Sequence, residues 1–185
     1  MKGLAFLLCA TFFGSAQATT IALNLNDFFA DPSIIVTPDG SSAAMSEDPN
    51  LFSVLLVNDP FLGDPEIVMA GANTSLLFNY VFDEPAGNDD EFIAFVLDTN
   101  TGLSAGAEFE FLTSASSSGT VGFDLSSLTG TTLGIQFELA SFDAQFTSTI
   151  TISNLRLNIS DVPEPPVLAL ISLSLLMMQR KHKLQ

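Results

Sequence analysis

Two stretches of the chain crowd oxygen donors at spacings that suit a hard cation. Asn88-Asp89-Asp90-Glu91 sets four oxygen-bearing side chains in a row, and Asp98-Thr99-Asn100-Thr101-Gly102 places donors at i and i+2 ahead of a glycine. Calcium takes about six to eight oxygens, mixing carboxylates with carbonyls and amides. Asp89, Asp90, Glu91, Asp98 and Asn100 are therefore the candidate calcium ligands, and calcium is the only cofactor toward which the sequence points. Neither stretch has the full spacing of a dedicated calcium loop, and solvated turns produce the same composition.

Other chemistry has few carriers. The single cysteine, Cys9, and the single histidine, His182, lie near the two ends, and residues 19–161 contain no His, Cys or Lys. Disulfides, thiolate chemistry and Cys-ligated metals are excluded for that body, as are imidazole catalysis and zinc. Carboxylate pairs of the glycosidase kind remain. Glu108 and Glu110 share a strand face about 7 Å apart, but Phe109 and Phe111 fill the other face, so the glutamates read as the solvated side of an edge strand. The expectation is that the protein is not an enzyme. Sugar stacking needs exposed aromatic rings, yet the chain has no Trp and one Tyr. Tyr80 lies between Phe78 and Phe82 as a half-buried strand residue, which disfavours an aromatic platform. A polar or calcium-bridged glycan site stays open.

Charge narrows the partners further. Residues 19–161 hold twenty carboxylates against one cation, Arg156, a net charge of −19. Phosphate neutralisation requires cations that this body lacks, so nucleic acid and anionic lipid are excluded as partners. Cations, neutral glycans and basic surfaces fit. Such acidity also keeps a protein soluble and resists self-association.

The elements that must position these residues are strands. Short apolar segments at Ile21–Leu25, Ser33–Thr37 and Leu51–Val57 are followed by longer ones at Ser75–Phe82 and Glu91–Leu97. Glu108–Leu112, Gly119–Leu125, Thr131–Leu139 and Ser148–Leu157 complete the series. In the last, Ile150, Ile152, Leu155 and Leu157 alternate with polar residues, and the phase slips near Ser153-Asn154, which predicts a bulge. Asp59-Pro60, Gly63-Asp64-Pro65, Glu84-Pro85-Ala86-Gly87-Asn88 and Thr129-Gly130 break the pattern between segments. About nine short strands at this spacing, without a helical period, predict an all-β protein, an antiparallel β-sandwich. Phe, seventeen residues in the chain, is the natural core former.

Both ends differ from this body. Lys2 precedes an apolar stretch, Gly3–Phe13, and Ala16-Gln17-Ala18 is an A-x-A cleavage site. Residues 1–18 thus read as a secretory signal peptide, with Thr19 as the mature N-terminus. Leu8 before Cys9 argues against lipidation. Sec translocon and signal peptidase are the implied partners. At the other end, Val162-Pro163-Glu164-Pro165 precedes an apolar run from Pro166 to Met178, and then Arg180, Lys181 and Lys183. Prolines halt helix and sheet alike, and the basic cluster suits a stop-transfer role on the cytoplasmic side. As a helix the run spans only about 20 Å, short of a hydrocarbon core of about 30 Å.

In that order, motif, apolar run and basic tail resemble the PEP-CTERM sorting signal of Gram-negative bacteria. The resemblance implies export, transient residence in the inner membrane and processing by an exosortase near Val162, Pro163, Glu164 and Pro165. It implies delivery to the cell surface or the extracellular matrix, with exopolysaccharide as a partner. Phe78-Asn79-Tyr80-Val81-Phe82, Phe92-Ile93-Ala94-Phe95-Val96-Leu97, Gly122-Phe123-Asp124-Leu125 and Ile152-Ser153-Asn154-Leu155 resemble jelly-roll domains of such proteins and carbohydrate-binding-module sandwiches. In those modules a final strand often carries Asp-Asn where this chain has Ser153-Asn154, so a carboxylate used for calcium there is missing here.

The expected organisation is a signal peptide at 1–18, a jelly-roll-like β-sandwich at 19–161, and a sorting or anchor segment at 162–185 ending in a short apolar helix. The expected role is that of an exported, exosortase-processed structural or interaction protein. The alternative is a calcium-dependent carbohydrate-binding module at the cell surface.

Overall fold

Along the longest segments, β-branched and aromatic residues alternate with polar ones, and each such segment forms a strand whose apolar face is buried. The computed structural model describes residues 18–85 and 89–160. In chain order its strands are β1 (Ala18–Ala22), β2 (Phe29–Ala30), β3 (Ile34–Val36), β4 (Ser42–Ser46), β5 (Ser53–Asn58) and β6 (Val68–Met69). Then come β7 (Thr74–Asp83), β8 (Glu91–Asp98), β9 (Leu103–Ser104), β10 (Glu110–Thr113), β11 (Ser117–Asp124), β12 (Thr132–Ala140) and β13 (Thr149–Ser160). All strand pairs are antiparallel, and the strands form two sheets packed together. The described residues are therefore all β, with only short 3-10 turns between strands.

One sheet has the order β11-β7-β13-β4-β3, with β1 also on β13; the other runs β10-β8-β12-β5-β2, with β6 on β12 and β9 on β8. Strand β13 uses one edge twice. Its residues 149–153 pair with β4 and its residues 156–160 pair with β1. The changeover coincides with a register shift between Ser153 and Arg156, where Asn154 takes φ 55°. Asn tolerates this left-handed conformation better than most residues, so the bulge expected from the slipped phase sits where the strand changes partners.

Phenylalanines join the sheets. Phe78 and Phe82 on β7 face Phe92 on β8 and Phe137 on β12, and all four are essentially inaccessible. Phe78 meets Phe137 edge-on at 5.0 Å, and Phe92 lies nearly parallel to Phe137 at 6.5 Å. Such pairs add about 0.5–1.5 kcal/mol beyond the burial of their area. Gly134 on β12 is required by close approach, since a Cβ there would lie 2.3 Å from the Asn58 carbonyl oxygen.

Several expected boundaries need correction. Leu25 is not at the end of a strand; it opens a 3-10 turn, Leu25–Asp27, that Asn24 caps by accepting from the Asn26 N–H. Glu108 and Phe109 lie in another 3-10 turn, Ala107–Phe109, rather than in the strand that follows. Strands β2, β4, β6 and β9 were not expected; β4 is Ser-Ala-Ala-Met-Ser, with little intrinsic strand preference. It is held by neighbours on both sides, β3 and β13.

Candidate cation and ligand site

Antiparallel pairing gathers the described residues of four sheet-crossing connections at one end of the sandwich: residues 47–52, 84–85 with 89–90, 114–116 and 141–148. The register requires this, because Thr149 pairs with both Ser46 and Asp83 in one sheet, while Ala140 pairs with both Ser53 and Glu91 in the other. Just past the strands, the inward phase of the alternation continues with polar residues. Ala43 and Met45 are followed by Glu47, Phe92 is preceded by Asp90, and Ile150 by Ser148, all on the buried side. The apolar core thus ends in a polar cap.

Ser148 joins the cap's two buried carboxylates. Its backbone N–H donates to Glu47 Oε2 at 2.7 Å, and its hydroxyl donates to Asp90 Oδ2 at 2.6 Å. Asp90, with no exposed surface, also accepts from the Phe142 N–H at 3.1 Å through Oδ1. Glu47 is 9% exposed, and its Oε1 is buried without a hydrogen-bond partner, as are Asp143 Oδ2 and Ser141 Oγ. Burial raises the Glu84 carboxyl above its ordinary value; a backbone hydrogen bond at Asp90 opposes this, and the charges of Asp90, Asp89 and Asp143 add to the rise. Arg156, the only cation among the described residues, donates to the Asn154 carbonyl, eight residues along β13 from Ser148. That is about 26 Å away at ordinary strand rise.

The sequence-expected ligands separate. Asp90 belongs to this cap, whereas Asp89 is exposed and Glu91, on the opposite strand phase, is half-buried. Asp98 and Asn100 lie at the other end of β8, about 23 Å off at strand rise. There Asp98 Oδ1 accepts from the Asn100 N–H at 2.9 Å and from its side-chain amide at 3.0 Å, and Gly102 at φ 67° closes the turn. The two stretches therefore cannot share one ion, and the second acts as a turn. Glu108 and Glu110 are exposed beside the edge strand β10. Tyr80 is half-buried, packed on Phe92 and Phe111. Ala18 is the first residue of β1; Ala16, Asn88, Val162, Pro163, Glu164, Pro165, Arg180, Lys181 and Lys183 lie outside the described residues.

Glu47, Asp143 and Ser148 were not foreseen, nor was the aromatic pair beside them. Phe52 and Phe142 meet edge-on at 5.1 Å, yet stay 64% and 53% exposed. The signal available in the sequence was phase: Glu47 follows Ala43 and Met45 at spacing two, so a carboxylate falls on the inward side. Among the described residues, no three acidic groups already form an arrangement that holds a metal ion.

Near Ser153-Asn154, where the calcium carboxylate of the resembled modules is missing, the backbone and the adjoining turn are hydrogen-bonded. The Asn154 N–H donates to the Ser41 carbonyl at 3.2 Å, and the neighbouring Asp39 accepts from the Thr37 hydroxyl and from both the hydroxyl and N–H of Ser41. These bonds hold the Asp39 carboxyl below its ordinary value.

No protein-family model matches the chain, and no curated protein matches it. Among solved structures it is similar to the glycoside hydrolase domain of Endo-D from Streptococcus pneumoniae R6, with 16% identity and TM-score 0.43 over 81% of this chain and 22% of that one. It is also similar to a family two carbohydrate esterase from Cellvibrio japonicus, with 10% identity and TM-score 0.38 over 82% of this chain and 36% of that one. A third is the enzymatically active domain of tailspike protein 4 from bacteriophage CBA120, with 11% identity and TM-score 0.39 over 79% and 18%. The chain thus spans about a third or less of the length of each, at likenesses too distant to carry function.

Proposed function

We propose that this is an exported, exosortase-processed protein of the cell surface or exopolysaccharide matrix, a structural or interaction protein rather than an enzyme, with a jelly-roll-like body. One observation carries the reading. The described body begins with β1 at Ala18 and ends with β13 at Ser160, and these two residues pair with each other. The described strands thus begin at the last residue of the expected leader and end two residues before Val162-Pro163-Glu164-Pro165. Of the described strands, a cut before Thr19 takes only the first residue of β1, and a cut near Pro163 takes none. The lack of His, Cys and Lys in residues 19–161 supports a non-enzymatic role, and the net acidity suits a hydrated matrix.

The test is expression of the full chain in a Gram-negative host with and without its exosortase, followed by intact-mass analysis of the product. The reading expects a body starting at Thr19 and cut near Pro163-Glu164-Pro165 only where the exosortase is present. An uncut tail in both strains removes it.

A second reading, a calcium-dependent carbohydrate-binding module at the cell surface, is favoured by one feature. The exposed Phe52–Phe142 pair stands beside the buried carboxylates, so apolar ring faces and oxygen donors lie together at one end of the sandwich.

A further inference from the structure

We propose that the chain self-associates through the open edge of β11, two copies pairing this strand antiparallel so that their sheets join into one. The inference stands apart from export and from any glycan.

The argument starts from which backbone groups of β11 are already used. The strand pairs with β7 alone and ends its sheet. Just past the ladder, and in its register, the Leu125 N–H donates to the Thr74 carbonyl at 2.8 Å. Bonded and non-bonded pairs alternate along an antiparallel ladder, so Ser117, Gly119, Val121 and Phe123 turn their N–H and C=O toward β7. The other side of β7 gives the same phase. There the Ser160 N–H donates to the Asn73 carbonyl at 3.0 Å, in register with the β7–β13 ladder. Ser118, Thr120, Gly122 and Asp124 therefore turn their backbone groups outward. No hydrogen bond among the described residues takes up those four N–H or four C=O groups. Gly122 is exposed, and a glycine has only backbone to expose.

The other sheet ends are blunted. Strands β2 and β3 have two and three residues, and β10 has four and begins with the exposed Glu110. Strand β11 has eight residues, keeps an unbroken register, contains no proline and carries one charge, Asp124, at its end. Such an edge is a template for a further strand.

Charge and register select a second copy as that strand. A basic partner gains nothing locally, because residues 117–123 offer it no carboxylate. Two copies of one strand pair about a two-fold axis. Matching all four outward residues sets Val121 opposite Val121, Thr120 opposite Gly122 and Ser118 opposite Asp124. No carboxylate then faces another, and each Asp124 meets a hydroxyl. An eight-residue edge is about 27 Å long and, at the about 10 Å spacing of packed sheets, offers roughly 270 Å² per copy. A standard interface takes about 800 Å² per partner, so main-chain hydrogen bonds carry the affinity and the dimer is weak. Bodies of net charge −19 also repel each other. Salt screens that repulsion, so association strengthens as salt rises.

The experiment is sedimentation velocity of the full chain in mild detergent, at low and high protein concentration and salt, with residue-resolved amide exchange in parallel. A dimer that grows with concentration and with salt is expected, together with slowed exchange at Ser118, Thr120, Gly122 and Asp124. Ser118→Asp sets carboxylates opposite each other twice and should weaken the dimer at least about tenfold. Ser118→Lys should tighten it severalfold. Thr120→Pro removes an outward donor while sparing the bonds to β7, and should abolish the dimer. If Thr120→Pro does not fold, the two Ser118 variants decide. A monomer under all conditions overturns the inference, as does a dimer indifferent to the Ser118 variants. Association that leaves the four amides fast, as from terminal segments sharing a micelle, overturns it too, and so does protection of those amides in the monomer.

Discussion

Two acidic regions of this sandwich meet opposite fates. At the turn between β3 and β4, Asp39 accepts three hydrogen bonds from Thr37 and Ser41, so its charge is matched by the chain's own donors. At the other end, Glu47, Asp90, Asp143 and Glu84 crowd together, and buried oxygens on Glu47 and Asp143 lack partners. Composition alone cannot separate these cases. What differs is the neighbourhood: short hydroxyl residues two positions away in a tight turn, against carboxylates brought together by strands far apart in sequence. The lesson is that a carboxylate is matched where donors lie two residues away in its own turn, and keeps unmatched oxygens where the fold brings carboxylates together without enough donors.

The contrast requires one rigid frame, so the strongest way to break it is to remove the frame. Phe137→Ala deletes the ring that Phe28, Phe78 and Phe92 all touch, and it should cost about 3–5 kcal/mol in chemical denaturation. Both regions should lose order together; retention of full stability would mean the sheets are not joined through this ring.

Gly40→Ala attacks the satisfied region. Gly40 sits at φ 68°, and a Cβ there would lie 1.5 Å from Asn24 Oδ1, the oxygen that caps the Leu25–Asp27 turn. A loss of about 1–3 kcal/mol is expected from the strained backbone conformation and the displaced cap, read from the denaturant midpoint.

Charge substitutions sharpen the comparison through pH. The fold raises the Glu84 carboxyl above its ordinary 4.5, so the folded chain holds this proton longer than the unfolded chain. Stability from this group is complete below about pH 4.5 and falls as pH rises through the raised value. Glu84→Gln should therefore raise the melting temperature modestly at pH 7 and give no gain at pH 4. Asp39 has the opposite sign. Its carboxyl is held below 3.8, so its contribution is present above that pH and is lost as pH falls through the folded value. Asp39→Asn should lower the melting temperature slightly at pH 7 and not at all in strong acid. Matching pH profiles for the two variants would erase the distinction.

The smallest effect is expected at the rim. Phe52→Ala removes a mostly exposed ring and should change stability by no more than about 0.5 kcal/mol, while reducing retention on polysaccharide if the Phe52–Phe142 pair contacts sugar.

Much of the frame was legible because its signal is local. Alternation placed β7, β8, β12 and β13 within one or two residues at most ends, and the slipped phase at Ser153-Asn154 marked the bulge. Strand β4 was not legible, since Ser42-Ala43-Ala44-Met45-Ser46 forms a strand only through its neighbours. The site was half legible. Asp90 stood out by composition, but its link to Glu47 passes through Ser148, which is 58 residues from Asp90 and 101 from Glu47. Such contacts are products of register, which no spacing in the sequence records. Asp98 and Asn100 drew notice for the same oxygen-rich composition, yet Asp98 already uses its oxygen to hold the turn.

The most direct test of the account is sedimentation of the full chain with the producing organism's exopolysaccharide, in millimolar calcium and again in EDTA. The account predicts saturable recovery of the chain in the polysaccharide pellet, reduced by EDTA if the carboxylate cap takes part. A chain that stays in the supernatant in both buffers would contradict a role in the matrix.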